Sequence, residues 1–458
     1  MEDRSLTRRA FLAAAGTGVA ATAHVACANT ARVVPGRISP NERLNIAAIG
    51  VGGMGRANIE ACATENIVAL CDVDDSAAAQ TYRTYPDANR YRDFRIMFDK
   101  EHKNIDAVIV ATPDHTHAVA AVAAMRAGKH LFCQKPLAHS VHEARYLTEV
   151  ARETGVQTQM GNQGHSSEQI RRLREWVQAG AIGQVREVHA WSDRPVGGDP
   201  WSDFPIMKRP DETPAVPDTL DWDLWLGPVS YRPYHPIYCP TTWRGFYDFG
   251  TGALGDMGCH ILDPAFWALD LGHPESVQAT TTHYNPQVSE ETFPRASIVR
   301  YQFPARGDMP PVSLTWYDGR LKPPIPRDFE PDMQLDNNGA ILIGDKGTAI
   351  HGSHGAGGLR FLPLETMREY KGPPRTLRRI RQSGNAHEQD WIRACKDGEP
   401  ASACFDYGGP LTEMVLLGVA AMRIKDRKLE WDANKLQFTN NDEANAFINP
   451  PYREGWSL

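Results

Sequence analysis

The chain has 458 residues and a formal net charge of -7 at pH 7, and 41% of its residues are hydrophobic and 23% are charged. This length exceeds that of one ordinary hydrophobic core and favours two domains. The balance of hydrophobic and charged residues is that of a globular protein that folds in water. Because the net charge is acidic and provides no basic surface for a phosphate backbone, nucleic acid is excluded as a partner.

Residues 1–28 have the pattern of an export signal. Arg8 and Arg9 precede an apolar run rich in alanine and glycine, and small residues flank Cys27 at a cleavage site. Paired arginines before such a run are typical of a twin-arginine signal. We therefore expect the twin-arginine translocation machinery as a partner and a periplasmic or extracellular location. An ordinary secretory signal and lipid attachment at Cys27 are the alternatives.

A linker at 29–43 leads to a short apolar run and then to a glycine-rich turn with the pattern G-x-G-x-x-G. The first glycine makes a tight turn, the second lets a pyrophosphate approach the backbone, and the third packs the next helix on the strand. The N-terminus of that helix faces the phosphates with free N–H groups. The residues expected to hold a dinucleotide here are Gly50, Gly52, Gly53, Met54 and Gly55.

A second buried run, 67–71, ends at Asp72, which lies 17 residues after Gly55. A carboxylate at this position accepts hydrogen bonds from a ribose of NAD. No arginine follows immediately to bind a 2′-phosphate, so NAD is favoured over NADP. Because an exported enzyme would lose a cofactor that dissociates, we expect the NAD to be tightly bound.

Strands and helices then alternate, with apolar runs at 107–111, 130–133 and 156–160. This alternation predicts a doubly wound parallel sheet, an α/β Rossmann domain at 44–160. Ligands of such sheets bind beyond the carboxyl ends of the strands. The further residues expected near the cofactor follow these ends: Thr112, Pro113, His117, Gln134 and Lys135.

With these motifs, and with Asp256-x-x-x-His260 further along, the chain resembles the glucose–fructose oxidoreductase/inositol dehydrogenase (Gfo/Idh/MocA) family. The resemblance covers residues 44–456. It implies a C-terminal domain whose open sheet covers the active cleft and builds oligomers, and it assigns the chemistry to Lys135, Asp256 and His260. Gln134 stands where the family usually has a glutamate, so the charge pairing that a glutamate would give to the lysine is lost.

Residues 161–458 predict an α+β domain with a large, open and mostly antiparallel sheet. Helical stretches near the C-terminus, at 387–423, are expected to dock back on the Rossmann domain. Since the sheet is expected to build oligomers in this family, we expect a homo-oligomer through it. The strands expected in the sheet are 185–191, 277–284, 297–303 and 312–317.

Oxidation of a hydroxyl-bearing carbon needs a base for the hydroxyl proton, and the ordinary histidine pKa near 6.5 suits His260 to that role. A cation such as Lys135 stabilises the developing alkoxide. Asp256 lies four residues before His260, so on a helix the two share a face, although three glycines make this a poor helix on propensity alone. The residues expected to bind substrate are Asn162, Trp243, Arg244, Asp256 and His260.

A proline-rich segment at 193–242 carries many aromatic residues. Stacking on a sugar and packing between the domains are equal alternatives for these rings. Two histidine pairs, His115 with His117 and His351 with His354, have the spacing to join a metal site. Neither pair has a second cluster of ligands, and the cysteines form no CxxC pair, so we predict no metal.

These features favour an NAD(P)-dependent oxidoreductase that transfers hydride between a sugar, polyol or glycoside and a bound nicotinamide, and that is exported in folded form. The alternative is a redox-neutral NAD-dependent glycosidase or lyase that acts through a transient keto-sugar. A third hypothesis is a sugar-binding protein with a relict nucleotide site. The presence of Lys135, Asp256 and His260 argues against that third hypothesis.

Overall fold

The computed structural model describes residues 42–195, 203–283, 285–330 and 332–458. The predicted export signal and most of the predicted linker lie outside these residues. Within the described ranges, no helix is both long enough and apolar enough to cross a membrane.

The sheet of the N-terminal domain has six strands in the described part of the chain: β1 (Asn45–Ile49), β2 (Asn66–Cys71), β3 (Asn89–Tyr91), β4 (Ala107–Val110), β5 (His130–Cys133) and β6 (Thr158–Met160). Their order is β3-β2-β1-β4-β5-β6, and all neighbours are parallel. This order confirms the predicted doubly wound fold. The chain changes direction across the sheet between β1 and β4, so a cleft opens beyond their carboxyl ends.

Helices connect these strands: α1 (Gly53–Ala61), α2 (Asp75–Thr84), α3 (Phe94–Glu101), α4 (Asp114–Arg126) and α5 (Val141–Thr154). Capping residues fix the ends of α5. Ser140 and Glu143 form a capping box at its start, and Gly155 follows its last turn with a φ of 67°. These caps satisfy backbone groups that a helix leaves free, so α5 begins at Val141 and ends at Thr154.

The described part of the C-terminal sheet has nine strands: β7 (Val185–Trp191), β8 (Ser276–Thr281), β9 (Ser297–Phe303), β10 (Val312–Tyr317), β11 (Gly339–Gly344), β12 (Thr348–His351), β13 (Arg360–Leu362), β14 (Leu429–Asp432) and β15 (Gln437–Phe438). Their order is β13-β12-β11-β7-β10-β9-β8-β14-β15. Strands β7 and β10 are parallel, and the other neighbours are antiparallel. The sheet is thus mostly antiparallel, as predicted, but strands β11 to β15 were not predicted.

The helices of this domain are α6 (Glu168–Gln178), α7 (Trp222–Leu226), α8 (Gly252–Ile261), α9 (Asp263–Ala268), α10 (Pro286–Ser289), α11 (Leu364–Glu369), α12 (Ala386–Asp397), α13 (Phe405–Ile424) and α14 (Asp442–Asn445). The long C-terminal helical stretch is therefore two helices, α12 and α13. Asn58 of α1 donates to Glu388 of α12 at 2.8 Å. Arg145 of α5 pairs with Glu413 of α13 at 2.9 Å. Both helices therefore contact the Rossmann domain.

The two faces of the C-terminal sheet have different neighbours. Alternate residues of the central strands, among them Val188, Val299 and Leu314, point into the main core that α8 and α13 share. The opposite face carries a smaller apolar cluster around Trp191, on which side chains of the segment after β10 pack. Alternation with a period of two residues explains this division.

Trp391 of α12 tests the docking of the C-terminal helices. Its side chain is 0% exposed and its ring lies 5.7 Å, centroid to centroid, from that of Phe132 in β5. Trp391→Ala should lower the free energy of unfolding by about 3–5 kcal/mol, because a buried aromatic ring is replaced by a cavity. Urea unfolding measures this change. The control Tyr231→Ala removes a ring that is 69% exposed, and should change stability by at most about 0.5 kcal/mol. Equal effects of the two variants would contradict this docking.

Candidate active site

The glycine turn after β1 leaves no room for side chains. Gly50 has a φ of +78°, and a Cβ there would lie 2.7 Å from the backbone of Ala111 and Thr112. A Cβ on Gly55 would lie 1.9 Å from the carbonyl oxygen of Gly50. No side chain caps the N-terminus of α1. The first backbone N–H groups of α1 therefore have no side-chain acceptor, and with the glycine turn they form a cradle that fits the pyrophosphate of a dinucleotide.

Asp72 lies beside this turn, at the carboxyl end of β2. Its Oδ2 accepts a hydrogen bond from the Val51 N–H at 2.7 Å, and its Oδ1 accepts one from the Asp74 N–H at 3.0 Å. Burial raises the pKa of Asp72 to about 6, although these N–H donors oppose the shift. The carboxyl group is thus fixed at the place where the sequence predicts a ribose contact, and its charge changes near neutral pH.

A cavity of about 660 Å³ lies between the two domains and is lined by residues of both. Of the residues predicted to bind cofactor or substrate, the cavity is lined by Gly50, Gly52, Gly53, Met54, Asp72, Thr112, Pro113, His117, Gln134, Lys135, Trp243, Arg244, Asp256 and His260. Gly55 and Asn162 are not among its lining residues. Gly55 packs under the turn, and Asn162 is fully buried with both side-chain amide atoms unpaired among the described residues.

The charged centre of the cavity is built around Asp256. Lys135, at the end of β5, donates to the Asp256 carbonyl oxygen at 2.7 Å and to its Oδ1 at 2.9 Å. Arg194 donates to the other carboxylate oxygen, and Arg244 lies 3.8 Å from Oδ1. Burial opposes ionisation of Asp256, but the three cations outweigh it and hold the pKa of this carboxyl well below its usual range. Asp256 is therefore an anion that fixes Lys135 in place.

His260 follows Asp256 by one turn of α8. Its side chain is almost completely buried, and its Nδ1 has no hydrogen-bond partner among the described residues. Burial, Lys135 and His354 lower its pKa well below the ordinary histidine value. The imidazole is consequently neutral at pH 7 and is free to accept a proton.

Helix α8 forms in spite of its glycines because each of them makes room for a neighbour. A Cβ on Gly252 would lie 2.5 Å from the ring of Phe293, and one on Gly255 would lie 1.9 Å from Oγ1 of Thr251. That hydroxyl donates to Asp114 at 2.6 Å. Tertiary packing thus outweighs the low helix propensity of this segment.

The site also explains the glutamine before Lys135. Nε2 of Gln134 donates to Oδ1 of Asn58 at 2.9 Å, and Nδ2 of Asn58 donates to Glu388 at 2.8 Å. A glutamate at position 134 would put an acceptor against the Asn58 oxygen. Glu388 of α12 instead provides the carboxylate in this chain of hydrogen bonds, where it accepts from Asn58.

The first histidine pair is held by backbone groups. The ring nitrogens of His117 lie 2.8 Å from the carbonyl oxygens of Pro136 and Thr112, so this side chain ties the end of β4 to the turn after β5. His115 lies between the carbonyl oxygens of Trp225 and Phe249. Within the described ranges, no group of three or more His, Cys, Asp or Glu side chains could hold a metal ion.

Gln163, Arg194 and His354 are among the further cavity residues that sequence reasoning missed. Arg194 follows the end of β7, and a polar residue at a strand end was a usable signal. His354 was considered only as a metal ligand, whereas its ring centroid lies 4.2 Å from that of His260. The loop that carries it precedes β13, a strand that was not predicted.

The aromatic segment mainly packs the protein. Trp222 stacks on Trp225 at 4.7 Å and on Tyr238 at 5.9 Å, centroid to centroid. These rings belong to a buried cluster that also contains Trp243. Trp225 and Trp243 line the cavity as well, whereas Trp201 lies outside the described residues. Packing therefore accounts for most of these rings, and two of them are also available to a ligand.

Two models of one oxidoreductase family match the chain. The model described as the NAD-binding Rossmann fold matches residues 44–162, and the model described as the C-terminal alpha/beta domain matches 166–300 and 390–458. Together they cover more than half of the chain.

Curated relatives match over shorter stretches. Levoglucosan dehydrogenase of Pseudarthrobacter phenanthrenivorans is 24% identical over 257 residues, which are 54% of this chain and 56% of that protein. Inositol 2-dehydrogenase of Salmonella typhimurium is 28% identical over 152 residues, 32% of this chain and 45% of that protein. Glycosyl hydrolase family 109 protein 1 of Shewanella sp. is 30% identical over 207 residues, 40% of this chain and 44% of that protein. The chain thus spans about half the length of these relatives.

Solved structures share the fold at low sequence identity. The WlbA dehydrogenase of Bordetella pertussis, in complex with NADH and UDP-GlcNAcA, has a TM-score of 0.59 at 16% identity, over 85% of this chain and 99% of that one. An inositol dehydrogenase homolog of Azotobacter vinelandii, with NADH and myo-inositol, has a TM-score of 0.55 at 16% identity, over 85% of this chain and 98% of that one. From the two family models and this shared fold, the chain belongs to the Gfo/Idh/MocA oxidoreductase family.

Proposed function

We propose that this protein is an NAD-dependent oxidoreductase that transfers hydride between a hydroxyl-bearing carbon of a sugar, polyol or glycoside and the nicotinamide of NAD. The observation that carries the proposal is one cavity that contains both the glycine turn with Asp72 and the cluster of Lys135, Asp256 and His260. A dinucleotide cradle and a proton-transfer group must share a cavity for this chemistry.

The chain's own residues would hold the cofactor along this cavity. The turn at Gly50–Gly55 receives the pyrophosphate, Asp72 accepts from the ribose, and Thr112, Pro113 and His117 line the cavity beyond the end of β4. Bound NAD supplies the acceptor for the hydride that leaves the substrate carbon. The preference for NAD over NADP rests on Asp72, whose charge would repel a 2′-phosphate.

Proton transfer is the task of His260. Its neutral imidazole accepts the proton of the substrate hydroxyl while the hydride leaves. Two of the three N–H donors of Lys135 go to Asp256, and the third is left for the substrate oxygen, whose developing negative charge it stabilises. Asp256 orients Lys135 and balances its charge. Trp243 and Arg244 are the further cavity residues that we assign to substrate binding.

Export in folded form, with NAD tightly bound, is the second part of this proposal. It rests on Arg8 and Arg9 and on the apolar run that follows them. Free nucleotide is scarce outside the cytoplasm, so a cofactor that is loaded before export and retained fits a site buried between two domains. Oligomerisation through the C-terminal sheet stays a prediction.

A redox-neutral glycosidase or lyase is the second candidate function. The match of 30% identity to a glycosyl hydrolase family 109 protein favours it. In such a reaction, a sugar hydroxyl is oxidised, the proton next to the new carbonyl is removed and the aglycone leaves by elimination. In the glycosidase, water then adds in its place, and the hydride returns. His260 and Lys135 would act in the same way in the first step, so the fate of the hydride and the cleavage of the glycosidic bond separate the two functions.

Asp72 predicts a pH-dependent affinity for NAD. Its folded-state pKa of about 6 means that the carboxylate acceptor is present above pH 6 and is lost as the pH falls below it. The Kd for NAD should therefore rise about tenfold between pH 7.5 and pH 5. Asp72→Asn should weaken NAD binding about ten- to hundredfold at pH 7.5 and remove the pH dependence. Calorimetric titration of nucleotide-free protein measures both, with the exposed Asp99→Asn as control. An unchanged Kd in Asp72→Asn would exclude Asp72 as the ribose ligand.

His260 and Lys135 are tested in a single turnover. Mixing NAD-loaded protein with a panel of sugars and polyols, levoglucosan and myo-inositol included, should produce near-ultraviolet absorbance of reduced NAD. His260→Ala should lower that rate about 10²–10⁴-fold, and Lys135→Met comparably, without loss of NAD. The matched control is Lys129→Met, at the other end of β5. A stable signal indicates the oxidoreductase, and a signal that rises and decays indicates the redox-neutral reaction. Full rates in both variants would exclude this mechanism.

The export signal is tested by replacing Arg8 and Arg9 with lysine. The double variant keeps both positive charges, so it would still be exported if the translocation machinery recognised charge alone. We expect it to accumulate in the cytoplasm as folded, NAD-loaded precursor, whereas the control Arg4→Lys is exported. Cell fractionation and nucleotide analysis of the retained protein are the measurements. Normal export of the double variant would mean that the paired arginines are not a twin-arginine signal.

A further inference from the structure

His354 connects the buried base to solvent. It lies in the loop between β12 and β13 and is itself exposed, yet its ring faces that of buried His260 at 4.2 Å, centroid to centroid, with 33° between the planes. Nδ1 of His354 and the hydroxyl of Ser353 are 2.8 Å apart. An exposed titratable ring thus lies in tilted contact with the group to which we assign proton transfer.

The loop that carries His354 is fixed against the body of the protein. A Cβ on Gly164 would lie 2.4 Å from the Gly355 nitrogen, so the two backbones touch. Ser167 donates to the Gly355 carbonyl oxygen at 2.5 Å. Ala356 is fully buried with a φ of 58°, a conformation that residues other than glycine rarely adopt. These contacts hold His354 in one position over His260.

The ring of His354 limits the orientation of the His260 imidazole, which no hydrogen bond to Nδ1 fixes. Nδ1 of His260 has no hydrogen-bond partner among the described residues. The charged groups that face the two rings are Lys135 at the end of β5, Arg194 after β7, and Asp256 on α8. With two cations and one carboxylate around them, two adjacent imidazoles do not readily carry two protons.

We propose that His354 is a positioning residue for His260, which it orients by tilted ring contact, and that a proton taken up by His354 from solvent switches the base off. The proposal rests on the proposed function of His260. The step is a simple protonation: hydronium in the solvent outside the cavity gives a proton to a ring nitrogen of His354 and becomes water, and the cation formed opposes the charge that His260 must gain when it accepts the hydroxyl proton.

The direction of the pH effect follows from the surroundings. Burial of part of the ring, together with Lys135 and Arg194, lowers the pKa of His354 from its ordinary value near 6.5. Both rings are therefore neutral above pH 6.5, and the reaction in the oxidation direction is fully active there. As the pH falls, the exposed ring is protonated before the buried one, so His354 sets the acid limit of the transfer step when excess NAD keeps the site loaded while Asp72 is protonated.

The test compares His354→Phe, which keeps a flat ring without a proton, with His354→Ala, which removes the ring. In NAD-loaded, ¹⁵N-histidine-labelled protein, the His260 ring nitrogens should follow the titration of His354 in the wild type and lose that transition in His354→Phe. Resonances are assigned by their absence in His354→Phe and in His260→Ala. His260 shifts that do not change as His354 titrates would overturn the proposal.

The activity measurement separates orientation from protonation. With levoglucosan or myo-inositol as the probe in single turnover, His354→Phe should stay within about threefold of the wild-type rate at pH 8, with the midpoint of its acid limb moved to lower pH. His354→Ala should lose about ten- to hundredfold at every pH, because a displaced base costs rate of this order. An unmoved acid limb in His354→Phe, or a wild-type rate in His354→Ala, contradicts the inference. A wild-type rate in His260→Ala instead contradicts the proposed function. The coupling between the two rings can still be measured in that case, by NMR of the wild-type protein.

Discussion

The contact between Lys135 and Asp256 is the interaction on which the rest of the site depends. It joins the end of a Rossmann strand to a helix of the C-terminal domain, with an Nζ to Oδ1 distance of 2.9 Å, and both side chains are largely buried. Removing one partner of a buried ion pair leaves an uncompensated charge at a cost of about 3–5 kcal/mol. The pair therefore fixes the distance between the two domains as well as the position of the lysine.

The contact between Lys135 and Asp256 also determines which other groups reach the cavity. Helix α8 brings Asp256 to Lys135 and, one turn later, brings His260 into the same cavity. On the Rossmann side, His117 holds the turn that carries Lys135 to the end of β4, so the lysine is positioned from both domains. The glycine turn at the end of β1 opens into this cavity. The chemistry thus lies where a doubly wound sheet and its covering domain meet, which is the usual place for a ligand in such folds.

The sequence predicted those parts of the fold and of the site that depend on a short local pattern of residues. The glycine turn, the alternation of strands and helices, and the spacing of Asp256 and His260 each reflect short-range geometry. They predict the Rossmann domain and a part of the cavity lining that includes Asp256 and His260. Strands β12 to β15 were not predicted because they are short, and β11 was not predicted because it begins and ends in glycine. His354 reaches the cavity through long-range strand pairing, which no local pattern reports, whereas Arg194 follows the end of a predicted strand and could have been found. Asn162 was expected to bind substrate because it follows a strand end, but its side chain is buried away from the cavity lining.

The central claim is that one cavity transfers hydride from a sugar carbon to a retained NAD. The most direct measurement uses a sugar substrate with deuterium on its hydroxyl-bearing carbons, incubated with the purified mature protein. The protein is then denatured, and the released nucleotide is identified by mass spectrometry. The account predicts NAD in near-equal amount to protein, with part of it carrying a single deuterium as the reduced form. A protein that releases no NAD, or NAD that never carries the label while the sugar is converted, would contradict it.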